Sequence, residues 1–238
     1  MRAKSIGTIV LDNLSFAYPG NENILEGVSA TFKPGSRIHF TGSSGVGKST
    51  LMKILVGLST PTAGKYIFDD VDILPLSFEE FLPYRLNIGF SFDLGGLLSN
   101  RTLLENLLLP LQYHERMNRG EAMARVEEIM REFCIWPNRN LRPSNVSGGQ
   151  RKAACVARAL VANPEVLILD QPTTGLDKMA TSALMNSIEK GKSTGWLKHL
   201  FVTSADSAFT DQLNCETWVV FDKKIFSYAE FEKKVVFA

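Results

Sequence analysis

A glycine-rich stretch between residues 42 and 50 carries the clearest chemistry in the sequence. It fits the phosphate-loop pattern G-x-x-x-x-G-K-[ST] at every required position, with the residues Gly42, Ser43, Ser44, Gly45, Val46, Gly47, Lys48, Ser49 and Thr50. Glycines let successive backbone N–H groups turn inward as an anion nest, and the start of a following helix adds positive potential. We therefore expect Lys48 to reach the β and γ phosphates of a nucleotide and Ser49 to ligate Mg²⁺.

The elements around this loop must be a strand before it and a helix after it. Periodicity predicts a buried strand at 37–41 and a helix at 48–58, which disfavours the alternative of a purely structural glycine-rich turn. Upstream, period-two alternation predicts antiparallel strands with one solvent-facing side, at 6–11, 14–18 and 24–32. Tyr18 precedes the turn Pro19-Gly20, and an exposed aromatic there can stack on a purine, although plain packing also explains it.

Downstream, alternating strands and helices predict an α/β chain with a parallel sheet. Strands are expected at 64–70, 87–92, 166–170 and 199–204, with a closing hairpin of 218–221 and 224–228. Amphipathic helices are expected at 101–117, 120–134 and 178–190. We interpret the chain as one domain, with a core at about 1–93 and 163–238 and a helical insertion at about 94–162.

Two further segments carry chemistry. The apolar strand 166–170 ends in Asp170, where a carboxylate can organise Mg²⁺. The segment Ser147-Gly148-Gly149-Gln150 opens a predicted helix as a second anion nest, with Ser147 as its N-cap. Because one nucleotide cannot easily fill two such nests in one small chain, we predict a dimer. Each ATP would bridge the phosphate loop of one subunit and the Ser-Gly-Gly segment of the other.

Together these segments resemble the nucleotide-binding subunits of ATP-binding-cassette (ABC) transporters, from Tyr18 to the final hairpin. The specific marks are the phosphate loop and the segments 146–150, 166–170 and 172–177. The resemblance implies a P-loop NTPase (RecA-like) α/β core, an N-terminal antiparallel β subdomain and an inserted α-helical subdomain. It implies ATP and Mg²⁺ as ligands, Tyr18 as the adenine-stacking aromatic, and contact of Ser147, Gly148, Gly149 and Gln150 with ATP across the dimer. Asp177 corresponds to the residue whose loop crosses the interface.

Three positions depart from the family pattern. Gln171 stands where the family has the Glu that polarises the attacking water, and an amide cannot accept a proton. Asp93 stands where the family has a metal-contacting Gln, and its carboxylate is still a hard-oxygen ligand, so we expect metal contact from Ser49, Asp93 and Asp170. Ser204 replaces the phosphate-sensing His. His199 lies about 16 Å upstream on an extended strand and is expected to be a core or edge histidine.

Gln171 has two interpretations that the sequence leaves open. It is either an engineered Glu-to-Gln exchange that traps an ATP-bound dimer, or the native residue of a weakened site that Asp93 and Ser204 also make atypical. In both cases hydrolysis should fall by roughly 10²–10⁴-fold, the usual contribution of general-base assistance. Closure of the dimer should survive, since it uses binding contacts rather than bond cleavage.

Composition limits the partners. Among 238 residues the net charge is +1, which provides no basic stripe for nucleic acid. No secretory leader and no apolar run of about 20 residues is evident, so a membrane role needs a separate permease. Cys134, Cys155 and Cys215 have no metal-ligand spacing and are expected to be buried thiols in a reducing compartment.

The resemblance implies a place on the cytoplasmic inner face of the cell membrane, peripheral through a transmembrane permease. The second ATPase subunit would be a copy or a paralogue. The permease groove is expected near 93–104, and the run 94–111 is similar to subunits of bacterial lipid-trafficking (Mla/Mce-type) transporters. The alternatives are a non-transport ATPase of the same fold and a catalytically silent ATP-dependent clamp or regulator.

Overall fold

The computed structural model describes residues 3–112 and 117–236. Its strands are β1 (Ile9–Ala17), β2 (Asn23–Phe32), β3 (Arg37–Thr41), β4 (Ala63–Phe68), β5 (Val71–Asp72), β6 (Ile88–Ser91), β7 (Val166–Asp170), β8 (His199–Thr203), β9 (Glu216–Phe221) and β10 (Lys224–Ser227). Its helices are α1 (Lys48–Leu55), α2 (Phe78–Arg85), α3 (Leu103–Gln112), α4 (Arg119–Glu132), α5 (Gly148–Leu160), α6 (Lys178–Ser193), α7 (Ser207–Gln212) and α8 (Tyr228–Val236). The predicted α/β class is confirmed.

The larger sheet has the order β10-β9-β3-β8-β7-β6, and its strands run parallel except for β10. Every residue of β7 and β8 is buried, as expected for parallel strands covered on both faces. The carboxyl ends of β3, β6, β7 and β8 therefore meet at one edge of the sheet, where open α/β folds place their ligands. A smaller antiparallel sheet has the order β2-β1-β4-β5.

Two hydrophobic clusters cover the two faces of the larger sheet. Val166 and Ile168 of β7 join the cluster that contains α1 and the smaller sheet, whereas Leu167 and Leu169 join the cluster beneath α3–α6. This division follows from the two-residue period of a strand. Burying each such side chain contributes roughly 1.5–3 kcal/mol, so both layers are fixed to the strand that ends in Asp170.

The N-terminal strands differ from the prediction. Residues 9–17 form the single strand β1 instead of two strands, and Ile6 lies outside it. Its pairing with β2 is irregular between Leu11 and Leu14, where Asn13 has a φ of 49°. A bulge of this kind inserts an extra residue and resembles a break in sequence periodicity.

Several predicted helix ends also move. The helix predicted at 48–58 ends at Leu55, before Gly57 with a φ of 73°. The helix predicted at 101–117 is observed as α3 up to Gln112, and residues 113–116 lie outside the described residues. The helix predicted at 120–134 is α4, and Cys134 beyond it has a φ of 57° and is exposed, contrary to the expectation of a buried thiol.

Three of the described helices, α2, α7 and α8, were absent from the prediction. The helix α2 occupies a segment for which no helix or strand was predicted, although Ser77 and Glu80 form a capping box at its start. The helix α8 begins at Tyr228, which was assigned to the last strand. None of the helices in the described part of the chain has the length and hydropathy that crossing a membrane requires.

Candidate functional site

The phosphate loop connects β3 to α1 at the carboxyl edge of the larger sheet. Gly47 is the N-cap of α1 with a φ of 109°, and no side chain caps the helix. A Cβ at this position would lie 2.7 Å from Ile24 Cγ2, so both backbone conformation and space require glycine. The first N–H groups of α1 therefore have no side-chain acceptor, and a bound anion is the partner that fits them.

Lys48 lies across this loop. Its Nζ donates to the carbonyl oxygens of Gly42 and Ser43, each at 2.7 Å. Burial lowers the pKa of Lys48, while the carboxylate of Asp170 acts in the opposite direction. The ammonium is thus already held at the mouth of the loop, where phosphate oxygens would replace or join the carbonyls.

One cavity of about 280 Å³ brings the predicted phosphate and metal ligands together. Its lining includes Lys48, Ser49, Asp93, Asp170 and Gln171. These residues come from α1, the segment after β6 and the end of β7. The fold therefore brings residues that are up to 123 positions apart in the sequence to the lining of one cavity.

The donor set of this cavity suits Mg²⁺ bound with a nucleotide. Ser49 offers a hydroxyl, and Asp93 and Asp170 offer carboxylates, which are the hard oxygen ligands that Mg²⁺ prefers alongside phosphate and water. Within 3–112 and 117–236, no group of three or more His, Cys, Asp or Glu side chains could hold a metal by itself. The oxygen ligands of the cavity thus fit a metal ion that is bound together with a nucleotide.

Asp170 and Gln171 are held by β8. Thr203 Oγ1 donates to Asp170 Oδ1 at 2.5 Å, and the Gln171 N–H donates to the Thr203 carbonyl oxygen at 3.0 Å. Gln171 has a left-handed φ of 47°, and its Oε1 accepts from the Ala205 N–H at 3.2 Å. The amide side chain is therefore oriented by a backbone donor of the next loop.

Ser204 lies in that same loop but does not line the cavity. Its hydroxyl accepts from the Asp206 N–H at 3.1 Å, and its carbonyl oxygen is bound by His39 Nε2 at 3.1 Å. His199 is fully buried, with Nε2 at 2.5 Å from the Gly7 carbonyl oxygen, as predicted for a core histidine. The imidazole that contacts the Ser204 backbone is thus that of His39, which the sequence did not single out.

Tyr18 lies at the rim of the phosphate loop. Its hydroxyl is 3.4 Å from Thr50 Oγ1, its ring packs edge-on against Phe16, and it is 37% exposed. The ring therefore both packs and keeps an open face, so the two interpretations of this residue are compatible.

Ser147, Gly148 and Gly149 lie apart from the phosphate loop within one chain. Ser147 caps α5, with its Oγ accepting from the Gln150 N–H and Gln150 Oε1 accepting from the Ser147 N–H, both at 3.2 Å. Gly149 packs so closely on Gly175 that a Cβ would lie 2.8 Å from the Gly175 carbonyl oxygen. Asp177 caps α6, its Oδ1 accepting from the Ala180 N–H at 2.8 Å. These residues do not line the cavity of the phosphate loop.

Two surface depressions border this edge. One of about 320 Å³ includes Asp93, Leu94, Gly148 and Lys152. The other is an apolar groove of about 620 Å³, formed by Val56, Leu58, Phe78, Leu82, Arg85, Ile88, Phe90, Phe92, Leu109, Pro110 and Arg158. The apolar groove therefore lies beside the segment 93–104, in which the permease groove was expected, rather than within it.

Lys152 is the second site residue that the sequence analysis missed. It lies on the buried face of α5, and its Nζ donates to three backbone carbonyl oxygens. Its position directly before the small apolar residues 153–157 is the one signal in the sequence that could have identified it.

Comparisons with known proteins identify the family of the chain. The family model described as "ABC transporter" matches residues 25–174. The lipoprotein-releasing system ATP-binding protein LolD of Leptospira interrogans serogroup Icterohaemorrhagiae serovar Lai (strain 56601) is 34% identical over 214 residues, 90% of this chain and 89% of that protein. The methionine import ATP-binding protein MetN of Carboxydothermus hydrogenoformans (strain ATCC BAA-161 / DSM 6008 / Z-2901) is 35% identical over 179 residues, 74% of this chain but only 53% of MetN.

A solved structure gives the same result for the fold. The dimeric, post-hydrolysis ATP-binding cassette MJ0796 bound to ADP and Pi superposes with a TM-score of 0.82 at 29% identity, covering 92% of this chain and 98% of that one. The fold that carries the phosphate loop, Asp170 and Ser147 is thus that of a known cassette. The chain belongs to the ABC transporter family, as an ATP-binding cassette of the P-loop NTPase fold.

Proposed function

We propose that this chain is the ATP-binding subunit of a membrane transporter and that two subunits close around ATP. The observation that carries the proposal is the separation of two anion-binding helix ends within one chain. The phosphate loop lines a cavity with Asp93, Asp170 and Gln171, whereas Ser147 opens a different helix outside that cavity. A second subunit would bring its Ser147 helix tip to the nucleotide. The dimeric state of the similar cassette MJ0796 supports this arrangement.

In this proposal different residues at the cavity contact the phosphates, the base and the metal ion. Lys48 and the N–H groups of α1 neutralise the phosphates, and Tyr18 stacks on the base. Ser49, Asp93 and Asp170 would hold Mg²⁺, which would neutralise phosphate charge when bound. The Ser204 hydroxyl keeps its proton free to donate, because its oxygen accepts from the Asp206 N–H.

Gln171 determines the expected rate. Its Oε1 accepts from the Ala205 N–H, so the amide is fixed at the end of β7 and can orient a water molecule. An amide cannot take the proton of that water, and the missing general base should slow hydrolysis by roughly 10²–10⁴-fold. The subunit would therefore form a long-lived ATP-bound dimer.

The permease is proposed to dock in the apolar groove beside α2. Phe78 is 62% exposed and Leu58 is 45% exposed at this groove, and Arg85 and Arg158 also line it. An amphipathic helix with an apolar face and acidic residues would fit this combination. The subunit would then sit at the cytoplasmic face of the membrane without crossing it.

The cargo is proposed to be a lipid or a lipid-bearing molecule. Support comes from the run 94–111, which is similar to that of Mla/Mce-type subunits, and from the relative LolD, which is named for lipoprotein release. The methionine import protein MetN, at a comparable identity, supports a small polar solute as the second candidate.

The test combines nucleotide and membrane readouts. Size-exclusion chromatography with Mg-ATP should shift the chain from monomer to dimer, and affinity purification from membranes should recover a polytopic protein. Phe78→Asp should abolish that recovery without changing ATP-driven dimerisation, whereas Met123→Asp, at a 38% exposed position outside the groove, should leave both intact. ATP-driven dimerisation with no membrane protein recovered would favour the clamp or regulator over the transporter.

A further inference from the structure

Lys152 is a buried cation that the proposed nucleotide contacts do not use. It is only 7% exposed. Its Nζ donates to the carbonyl oxygens of Phe92 at 2.8 Å, Asp93 at 2.9 Å and Asp170 at 3.3 Å. An ammonium has three N–H donors, so these three carbonyls use its full capacity.

The three carbonyls belong to segments that meet at the nucleotide cavity. Phe92 and Asp93 follow β6, and Asp170 ends β7. Lys152 itself lies on α5, whose N-cap is Ser147. One ammonium therefore joins the two carboxylate-bearing segments of the cavity to the helix whose tip is proposed to reach the partner's nucleotide.

The burial of Lys152 distinguishes this contact from a hydrogen bond at the surface. A buried ammonium is costly unless its donors are satisfied, so the fold retains this cation only with all its carbonyls in place. Displacing α5 from the segment after β6 would break the hydrogen bonds of Lys152 to the carbonyl oxygens of that segment.

We propose that Lys152 is a positioning residue that fixes Asp93 relative to both Asp170 and the Ser147 helix tip. Asp93 and Asp170, which are proposed to hold the metal, would then move as one unit with the Ser147 helix tip when ATP binds. This inference rests on the proposed ATP-driven dimer. It adds the residue that would couple ATP binding to the movement of the Ser147 helix tip.

The decisive variant is Lys152→Met, which keeps an unbranched side chain and removes the donors. Binding of ATP in EDTA reports the phosphate loop alone, because Lys152 does not contact that loop, and its affinity should stay within about twofold. Hydrogen bonds to a charged group typically account for at least a tenfold effect. We therefore expect the Mg-ATP concentration for half-maximal dimerisation to rise about tenfold or more.

The matched control is Lys192→Met, the same exchange at an exposed helical lysine of α6. It should change neither quantity. A merely structural lysine would lower the melting temperature but leave dimerisation at low temperature unchanged, which would contradict the proposal. Lys152→Gln retains an amide donor and should fall between the unaltered chain and Lys152→Met.

If the variants do not fold, hydrogen exchange on the unaltered chain tests the positioning role of Lys152. Amides in 92–98 and in 150–155 should open as one cooperative unit, because Lys152 links them. Independent opening of the two segments would overturn the inference. If the unaltered chain fails to dimerise with Mg-ATP, the proposed function fails. If it dimerises and Lys152→Met needs no more Mg-ATP than Lys192→Met, only the role of Lys152 fails.

Discussion

Two helices of this molecule begin at glycine-rich anion nests, and they begin differently. The helix α1 follows Gly47 and has no side-chain cap, so its first N–H groups depend on an external acceptor. The helix α5 follows Ser147, whose hydroxyl already accepts from the Gln150 N–H, with Gln150 returning the bond. The first helix end is open before a ligand arrives, whereas the second is complete on its own.

The difference suggests a division of tasks. The uncapped end would bind the phosphates within one chain, together with Lys48, and its affinity would need no partner. The capped end is stable without a partner subunit, and it would contact phosphate only in the dimer.

Lys48→Ala should have the largest effect. It removes the ammonium that lies across the phosphate loop, and charge-assisted contacts to phosphate are the strong ones. ATP affinity should fall by about 100-fold or more, measured by isothermal titration calorimetry. Lys53→Ala, at the other end of α1, is the control and should bind normally. Tight binding by Lys48→Ala would refute the nucleotide assignment.

Gln171→Glu tests whether the missing general base limits the rate of ATP hydrolysis at the phosphate-loop cavity. Phosphate release should rise at least tenfold, since a carboxylate at this position can accept the proton of the attacking water. The measurement is steady-state phosphate production by the ATP-bound dimer. An unchanged rate would mean that Asp93 and Ser204 already prevent turnover.

Ser147→Asp separates the two tasks of the capped helix end. Asp is as good an N-cap as Ser, so the melting temperature should stay within a few degrees. Its negative charge would repel the γ phosphate of the partner's nucleotide, so ATP-driven dimerisation should fall at least tenfold. Ser147→Ala should cost about 1 kcal/mol of stability through loss of the cap. Normal dimerisation by Ser147→Asp would limit Ser147 to a capping role.

Gly149→Ala should give the smallest effect, and thermal unfolding should detect it. An added methyl group would lie 2.8 Å from the Gly175 carbonyl oxygen, and overpacking of this kind costs about 1–3 kcal/mol. Gly148→Ala is the matched control, because its Cβ would approach only Arg151 Nη2, at 3.8 Å. Equal melting temperatures for the two variants would contradict the close packing of α5 on the Gly175 segment.

The sequence predicted the parts of the site whose chemistry is local. The phosphate loop, the strand ending in Asp170 and the Ser147 cap each depend on residues within about ten positions of one another. Their recognition needs only periodicity, glycine conformation and capping rules. The elements carrying them were therefore predicted with small errors at their ends.

The unpredicted parts depend on contacts between distant segments. His39 reaches the Ser204 carbonyl oxygen because β3 and β8 are neighbours, and Lys152 reaches Asp93 because α5 packs beside β6. Neither neighbour can be read from local spacing. The fusion of the first two predicted strands at Asn13 likewise depends on pairing with β2, which supports a bulge that sequence alone reads as a break.

The most direct test of the account is complementation between two inactive chains. Lys48→Ala lacks a working phosphate loop, and Ser147→Asp lacks a working helix tip. A mixed dimer would contain one intact composite site, built from the loop of the second chain and the tip of the first. We predict that mixing the two variants restores a dimer that holds one nucleotide, at a Mg-ATP concentration at which neither variant dimerises alone. No dimer in the mixture, with Ser147→Asp still binding ATP as a monomer, would contradict a site shared between two subunits.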